Sequence, residues 1–254
     1  MKKFWKGTIL FFLSLSLLLG AISCAPKEQE KGEEIVYSND YLVKDGVSDY
    51  TVVIPETSDD NLLMAAEELS YFVQQTTGAK LPIVSDGGLT YSENACYMSL
   101  GETSLAKDAG ISATFSEMEQ DGYYLKKKGK SVFVFGGSTA GTLNGVYDFL
   151  EFNLGVKMYA EDEIRLEKQP SVRLIDFDKR YAPPFMLRSI GDYHFNYNAQ
   201  LRRRAKQQLR GDGWIYSSHS HFFILPPAEY REEHPDWYSP TGKQLCMSNM
   251  EMAD

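Results

Sequence analysis

The sequence predicts a mixed α/β (α+β) chain. A β-sheet and helix unit occupies residues 48–176, and the first strands and helices of an incomplete β/α (TIM-like) barrel follow at residues 177–254. Three observations predict this. Short runs rich in β-branched and aromatic residues, closed by Gly or Pro, alternate with longer segments of helical apolar spacing. Two strand-like runs flank Lys128-Gly129-Lys130, the pattern of a hairpin. Beyond Pro183-Pro184, strand and helix patterns resume without reaching a closed set of strands.

Residues 1–23 read as a leader: Lys2, Lys3 and Lys6, then an apolar run through Leu19, then Gly20-Ala21-Ile22-Ser23 before Cys24. A basic start, a short apolar stretch and small residues make a secretory signal peptide. The cysteine directly after them fits a bacterial lipoprotein, with Cys24 lipidated and the chain attached to the bacterial cell membrane or outer membrane, facing the cell surface or periplasm. A conventional cut near Ala21 is the alternative. The run is shorter than the ~20 apolar residues of a membrane-spanning helix. Residues 24–47 are expected to form a flexible tether, most charged in APKEQEKGEE.

The first strand is expected at Tyr50-Thr51-Val52-Val53-Ile54, closed by Pro55. Ser58-Asp59-Asp60 offers helix caps, Leu62, Ala66, Leu69 and Val73 recur at helical spacing, and Gly78 is the stop. Leu81-Pro82-Ile83-Val84 suits an edge strand, which tolerates proline. A strand at residues 96–100, a short helix at 104–109, a hairpin at 122–135 and a helix from about 140 to 152 complete the first unit. In the second unit a strand at 185–189, an arginine-rich helix at 199–209, a mostly extended stretch at 215–225 and a short helix after Pro226-Pro227 are expected.

The net charge of −9 becomes −12 when the three lysines leave with the leader. So acidic a chain argues against nucleic acid as a partner and for membrane attachment through acyl chains rather than charge. Cys24, Cys96 and Cys246 show no metal spacing, and a Cys96–Cys246 bridge is not expected across two units. Gly136-Gly137-Ser138-Thr139-Ala140-Gly141 lies between strand and helix but matches no phosphate-loop spacing, so a tight turn is the expectation. The run Arg202-Arg203-Arg204 with Lys206 and Arg210 reads as a solvated helix face.

Two sets of residues carry a family resemblance. Ala65-Ala66-Glu67-Glu68-Leu69 with Thr77-Gly78-Ala79-Lys80-Leu81-Pro82-Ile83 resembles the non-catalytic N-terminal domain of family 67 α-glucuronidases. Gly145-Val146-Tyr147-Asp148-Phe149-Leu150-Glu151 and Leu154-Gly155-Val156-Lys157 fit its second half. The same domain type precedes the barrels of β-hexosaminidases and other glycoside hydrolases. Further on, His219-Ser220-His221-Phe222-Phe223, Leu225-Pro226-Pro227, His234-Pro235-Asp236 and Gln244-Leu245-Cys246-Met247-Ser248-Asn249 resemble a domain of unknown function (DUF4838-type) that follows it in bacterial lipoproteins.

The resemblance implies a glycoside-hydrolase-like protein of polysaccharide or glycan degradation, with carbohydrate as partner and no cofactor. It supplies no catalytic residue. Barrel chemistry sits at the C-terminal ends of eight strands, of which this sequence offers about three. No Asp or Glu matches a catalytic carboxylate, so the chain is expected to be truncated and inactive alone. The alternative is a non-catalytic glycan-binding or assembly lipoprotein. The candidate sugar contacts are Arg188, His219, His221 and Trp214. The resemblance implies a hydroxyl-gripping arginine at the first barrel strand, and a salt bridge at the domain junction is the other role open to Arg188. On a strand, His219 and His221 would face the same way, toward sugar; a metal is not expected. Trp214 and Trp237 could stack on a sugar or sit in a core, and His234 is read as a turn residue.

Overall fold

A computed structural model describes residues 35–111, 121–185, 188, 198–207 and 221–249. The first unit runs β1 (Tyr37–Val43), β2 (Thr51–Ile54), α1 (Asp60–Thr77), β3 (Ile83–Ser85), β4 (Tyr97–Leu100), α2 (Ser104–Asp108), β5 (Tyr123–Lys128), β6 (Ser131–Gly136) and α3 (Thr139–Leu154). It closes with β7 (Lys157–Met158), β8 (Ile164–Arg165), β9 (Val172–Ile175) and β10 (Asp178–Tyr181). Then come α4 (Ala199–Arg204), α5 (His221–Ile224), α6 (Pro227–Tyr230) and a 3₁₀ turn at Pro235–Trp237.

Six strands form one mixed sheet in the order β10-β5-β6-β4-β2-β3. The pairs β2–β3, β2–β4 and β4–β6 are parallel, while β5–β6 and β10–β5 are antiparallel. Period-two alternation sends Val52 and Ile54, Met98 and Leu100, and Val132 and Val134 to the face covered by α1 and α3. Val53, Phe133 and Tyr124 point the other way, onto Leu105, Ala106 and Ala109 in and after α2. The sheet is therefore clothed on both sides, as its parallel pairs require.

The two long helices lie where they were expected, the second running one to two residues further at each end than the expected 140–152. Asp59 caps α1, its side chain accepting from the amides of Asn61 and Leu62, and Gly78 ends it at φ 86°. Ser138 caps α3 by accepting from Gly141 N–H. The glycine-rich segment before it is a tight strand-to-helix turn, as expected. Thr139 donates to Asp59 Oδ2 at 2.6 Å, so the two helix starts are tied together. Gly145 lets α3 approach the sheet closely: a Cβ there would stand 2.7 Å from Val134 Cγ1 and 3.0 Å from Tyr123 Cγ.

Three expectations need correction. The region read as a tether through residue 47 contains β1, which pairs antiparallel with β9. Leu42 and Val43 are buried, and Asp40 bonds Lys127 at 2.6 Å. Its polar Ser38-Asn39-Asp40 hides the strand in sequence, and its pairing is irregular, with register shifts on either side of Tyr41. At the other end β10 adds to the sheet beyond residue 176, so regular structure in this unit runs from Tyr37 to Tyr181. In the second unit, residues 221–224 are helical where an extended stretch was expected.

Among the described residues past 181, strand-type pairing is limited to the single bridge between Tyr238 and Leu245. Most of the strand expected at 185–189 lies outside the described residues. Among the described residues no helix is long and apolar enough to cross a membrane.

Candidate functional site

A cleft of about 430 Å³ opens between α3 and the segment that follows β10. From the first unit it is lined by Asp121, Asn144, Asp148, Glu151, Phe152 and Tyr181; from the following segment by Pro183, Arg188, Ala205, Lys206 and Gln207. Carboxylates stand on one wall and cations on the other.

The acidic wall is built by the fold's own core. Tyr123, on β5, is fully buried; it stacks on Tyr181 with ring centroids 5.3 Å apart and donates its hydroxyl to Asp148 Oδ2. Asp148 therefore sits in the middle of α3's apolar run with one oxygen already satisfied. Burial first, and then the Asp148 charge, hold the Tyr123 hydroxyl far above the ordinary phenol range. Asp121 precedes β5, and Asn144 of α3 donates to its carbonyl at 3.1 Å.

The basic wall reaches back across the cleft. Lys206 donates to Asp148 Oδ1. Arg188 binds Asp121 at 2.5 Å through Nη2, and its Nη1 and Nε donate to the carbonyls of Phe185 at 2.7 Å and Lys206 at 3.2 Å. One guanidinium thus ties together the end of β5's approach, the chain leaving β10 and the turn after α4. This is the junction role that was open to Arg188.

Lys206 has an unusual backbone. It takes φ 52°, a left-handed conformation that favours glycine, and it sits just past α4. Its N–H bonds Arg203 O and the next N–H, of Gln207, reaches Arg202 O, so the helix end is closed in the manner usually given to Gly. The ion pair with Asp148 holds a residue with a Cβ in that turn.

The arginine run is not simply a solvated face. Arg204 turns inward against α1, with its side chain 11% exposed. The reason is that α4 is packed on the first unit rather than standing free.

The other sequence-predicted residues separate. His221 is exposed at the start of α5, where its carbonyl accepts from Leu225 N–H at 2.8 Å; being helical, it has no strand face to share. His219, Trp214 and the lipidation candidate Cys24 lie outside the described residues. Trp237 packs locally: the His234 ring lies over it at 3.8 Å between centroids and 11° between planes. Cys96 and Cys246 are both free thiols. Among the described residues no group of three His, Cys, Asp or Glu side chains could hold a metal ion.

Sequence reasoning missed Asp121, Asp148 and Lys206. The signal for Asp148 was present, an acid inside the apolar string Val146-Tyr147-Asp148-Phe149-Leu150. Such a group is buried only if paired.

Residues 43–149 match the glycosyl hydrolase family 67 N-terminus. The comparison with curated proteins finds no match. Among solved structures the chain is similar to the GH20 β-N-acetylhexosaminidase of Streptomyces coelicolor, at 13% identity and a TM-score of 0.40, over 61% of this chain and 26% of that one. It is also similar to the Flavobacterium johnsoniae chitobiase, at 14% identity and a TM-score of 0.38, over 62% and 21%. A third is the GH115 4-O-methyl-α-glucuronidase BtGH115A, at 18% identity and a TM-score of 0.37, over 52% and 17%. The chain therefore spans about a quarter or less of these proteins' lengths, and at such scores none of them fixes the fold.

Proposed function

We propose that this chain belongs to a glycoside-hydrolase-like protein of glycan or polysaccharide breakdown, and that the unit from Tyr37 to Tyr181 is its non-catalytic lead domain. The observation that carries this is the match of residues 43–149 to the family 67 N-terminus. The cleft supports the non-catalytic part. Hydrolysis of a glycosidic bond needs a pair of carboxyl groups free to donate and accept a proton across the bond, or one helped by the substrate. Here Asp121 is held by Arg188, Asp148 by Lys206 and Tyr123, and Glu151 by Lys157 at 3.0 Å. Asp121 and Asp148 are thus tied into the junction, while Glu151 is engaged in a surface ion pair.

The second reading, a glycan-binding or assembly module, draws on the same commitment of the carboxylates. Both readings place the protein outside the cytoplasm on a lipid at Cys24, with residues 25–36 as the link to β1. Replacing Cys24 with Ala is expected to release the protein from membranes; undiminished membrane association contradicts lipidation.

The functional test uses residues 25–254. They should turn over no aryl-glucuronide or aryl-N-acetylhexosaminide, yet be retarded in gels containing an acidic or amino-sugar polysaccharide. Turnover overturns the non-catalytic assignment. Absence of both turnover and retardation overturns the carbohydrate reading.

A further inference from the structure

Away from the cleft, α1 carries a buried charge that neither its own helix nor the sheet explains. Its inward positions are apolar or small, among them Ala65, Leu69, Phe72 and Val73, except for Glu68, whose side chain is only 8% exposed. A carboxylate removed from water is costly unless charged or polar donors replace the lost hydration. Among the described residues, α4 supplies three hydrogen bonds to it. Arg204 bonds it twice, Nε to Oε2 at 2.9 Å and Nη2 to Oε1 at 2.8 Å, and Gln200 Nε2 adds a third bond to Oε1 at 2.9 Å.

The match extends one helical turn further. Phe72 stands four residues after Glu68 on α1, and the Arg204 guanidinium lies over its ring at 5.5 Å. Gln200 and Arg204 are themselves four apart on α4. Residues four apart share a helix face, so each helix offers a matched pair to the other. Arg203 adds a contact to Met64 Sδ at 3.6 Å, again four residues before Glu68. From α3, Tyr147 lies beside the carboxylate; burial first, then the Glu68 charge, push its hydroxyl upward.

We infer that Glu68 and Phe72 form a receptor on the lead domain for a helix bearing Gln and Arg four residues apart, with α4 as its occupant. The contact fixes the direction in which the chain beyond residue 198 leaves the lead domain. Arginine is required rather than any cation, because only a planar guanidinium can bond both carboxylate oxygens while lying on an aromatic face. The inference does not depend on the carbohydrate reading.

The test is hydrogen exchange of the whole chain, followed at the amides of 199–204 and of the sheet. Arg204→Lys and Arg204→Ala should each raise exchange in α4 by about tenfold or more, with the sheet unchanged. Glu68→Ala should do the same. Adding Arg204→Ala to Glu68→Ala should change little more, since the two act through one contact. Glu68→Gln, which keeps the volume and one acceptor, should lie between wild type and Glu68→Ala, and serves if the alanine variant does not fold. Wild-type protection of α4 in Arg204→Lys overturns the inference. So do independent, additive effects of the two alanine substitutions, or loss of protection across the sheet as large as that in α4.

Discussion

The lead domain and the segment after it are held by different forces. From Leu42 to Phe177 a continuous apolar cluster joins α1, α3 and one sheet face, with Phe72, Leu69, Met98, Tyr123 and Phe149 essentially inaccessible to water. Past Tyr181 the buried hydrophobic side chains among the described residues are Leu201, Tyr238 and Leu245. Residues 188–206 are joined to the lead domain by a row of ion pairs, Arg188–Asp121, Arg204–Glu68 and Lys206–Asp148. Apolar burial accumulates stability with area, at about 25 cal/mol per Å². An ion pair contributes little net once desolvation is counted, yet losing one partner of a buried pair is expensive. The first region is thus built for stability and the junction for a defined geometry.

The largest effect expected from that contrast is in the core. Phe149→Ala empties a fully buried site on α3 and should cost about 3–5 kcal/mol, seen as a large fall in the melting temperature of the lead domain. Leu245→Ala, also a buried position, should leave that transition where it is. Equal shifts from both would mean that one core serves both regions.

A smaller effect sharpens the junction. Lys206→Ala removes the ion pair but keeps a Cβ in the left-handed turn, whereas Lys206→Gly removes the pair and relieves the backbone. The glycine variant should hold α4 more firmly than the alanine variant, by about 1 kcal/mol in exchange protection. If the two are equal, the turn carries no strain that the ion pair must overcome.

Much of the lead domain was legible in the sequence because its signals are local. Asp59, Gly78 and Ser138 mark helix ends through their own backbone neighbours, and the alternation in Ser131-Val132-Phe133-Val134-Phe135 exposes a strand without any partner. β1 was not legible: its polar first half becomes a strand only by pairing with β9, more than a hundred residues on. The charged junction failed for the same reason. Arg204 and Lys206 look like any solvated basic run until α1 and α3 bring Glu68 and Asp148 to meet them. Buried carboxylates inside apolar helices were the one clue available, and they announce a missing cation without saying where it comes from. Arg188 was singled out, but its ion-pair partner Asp121 was not.

The division between an apolar-cored lead domain and a charge-held segment is tested most directly by limited proteolysis of the whole chain, with the cut sites mapped by mass. Early cuts should fall beyond Tyr181 or before Tyr37, leaving a resistant product that contains β1 through β10 and melts in one cooperative step. Early cuts between β2 and β9, or equal resistance along the chain past residue 198, would contradict it.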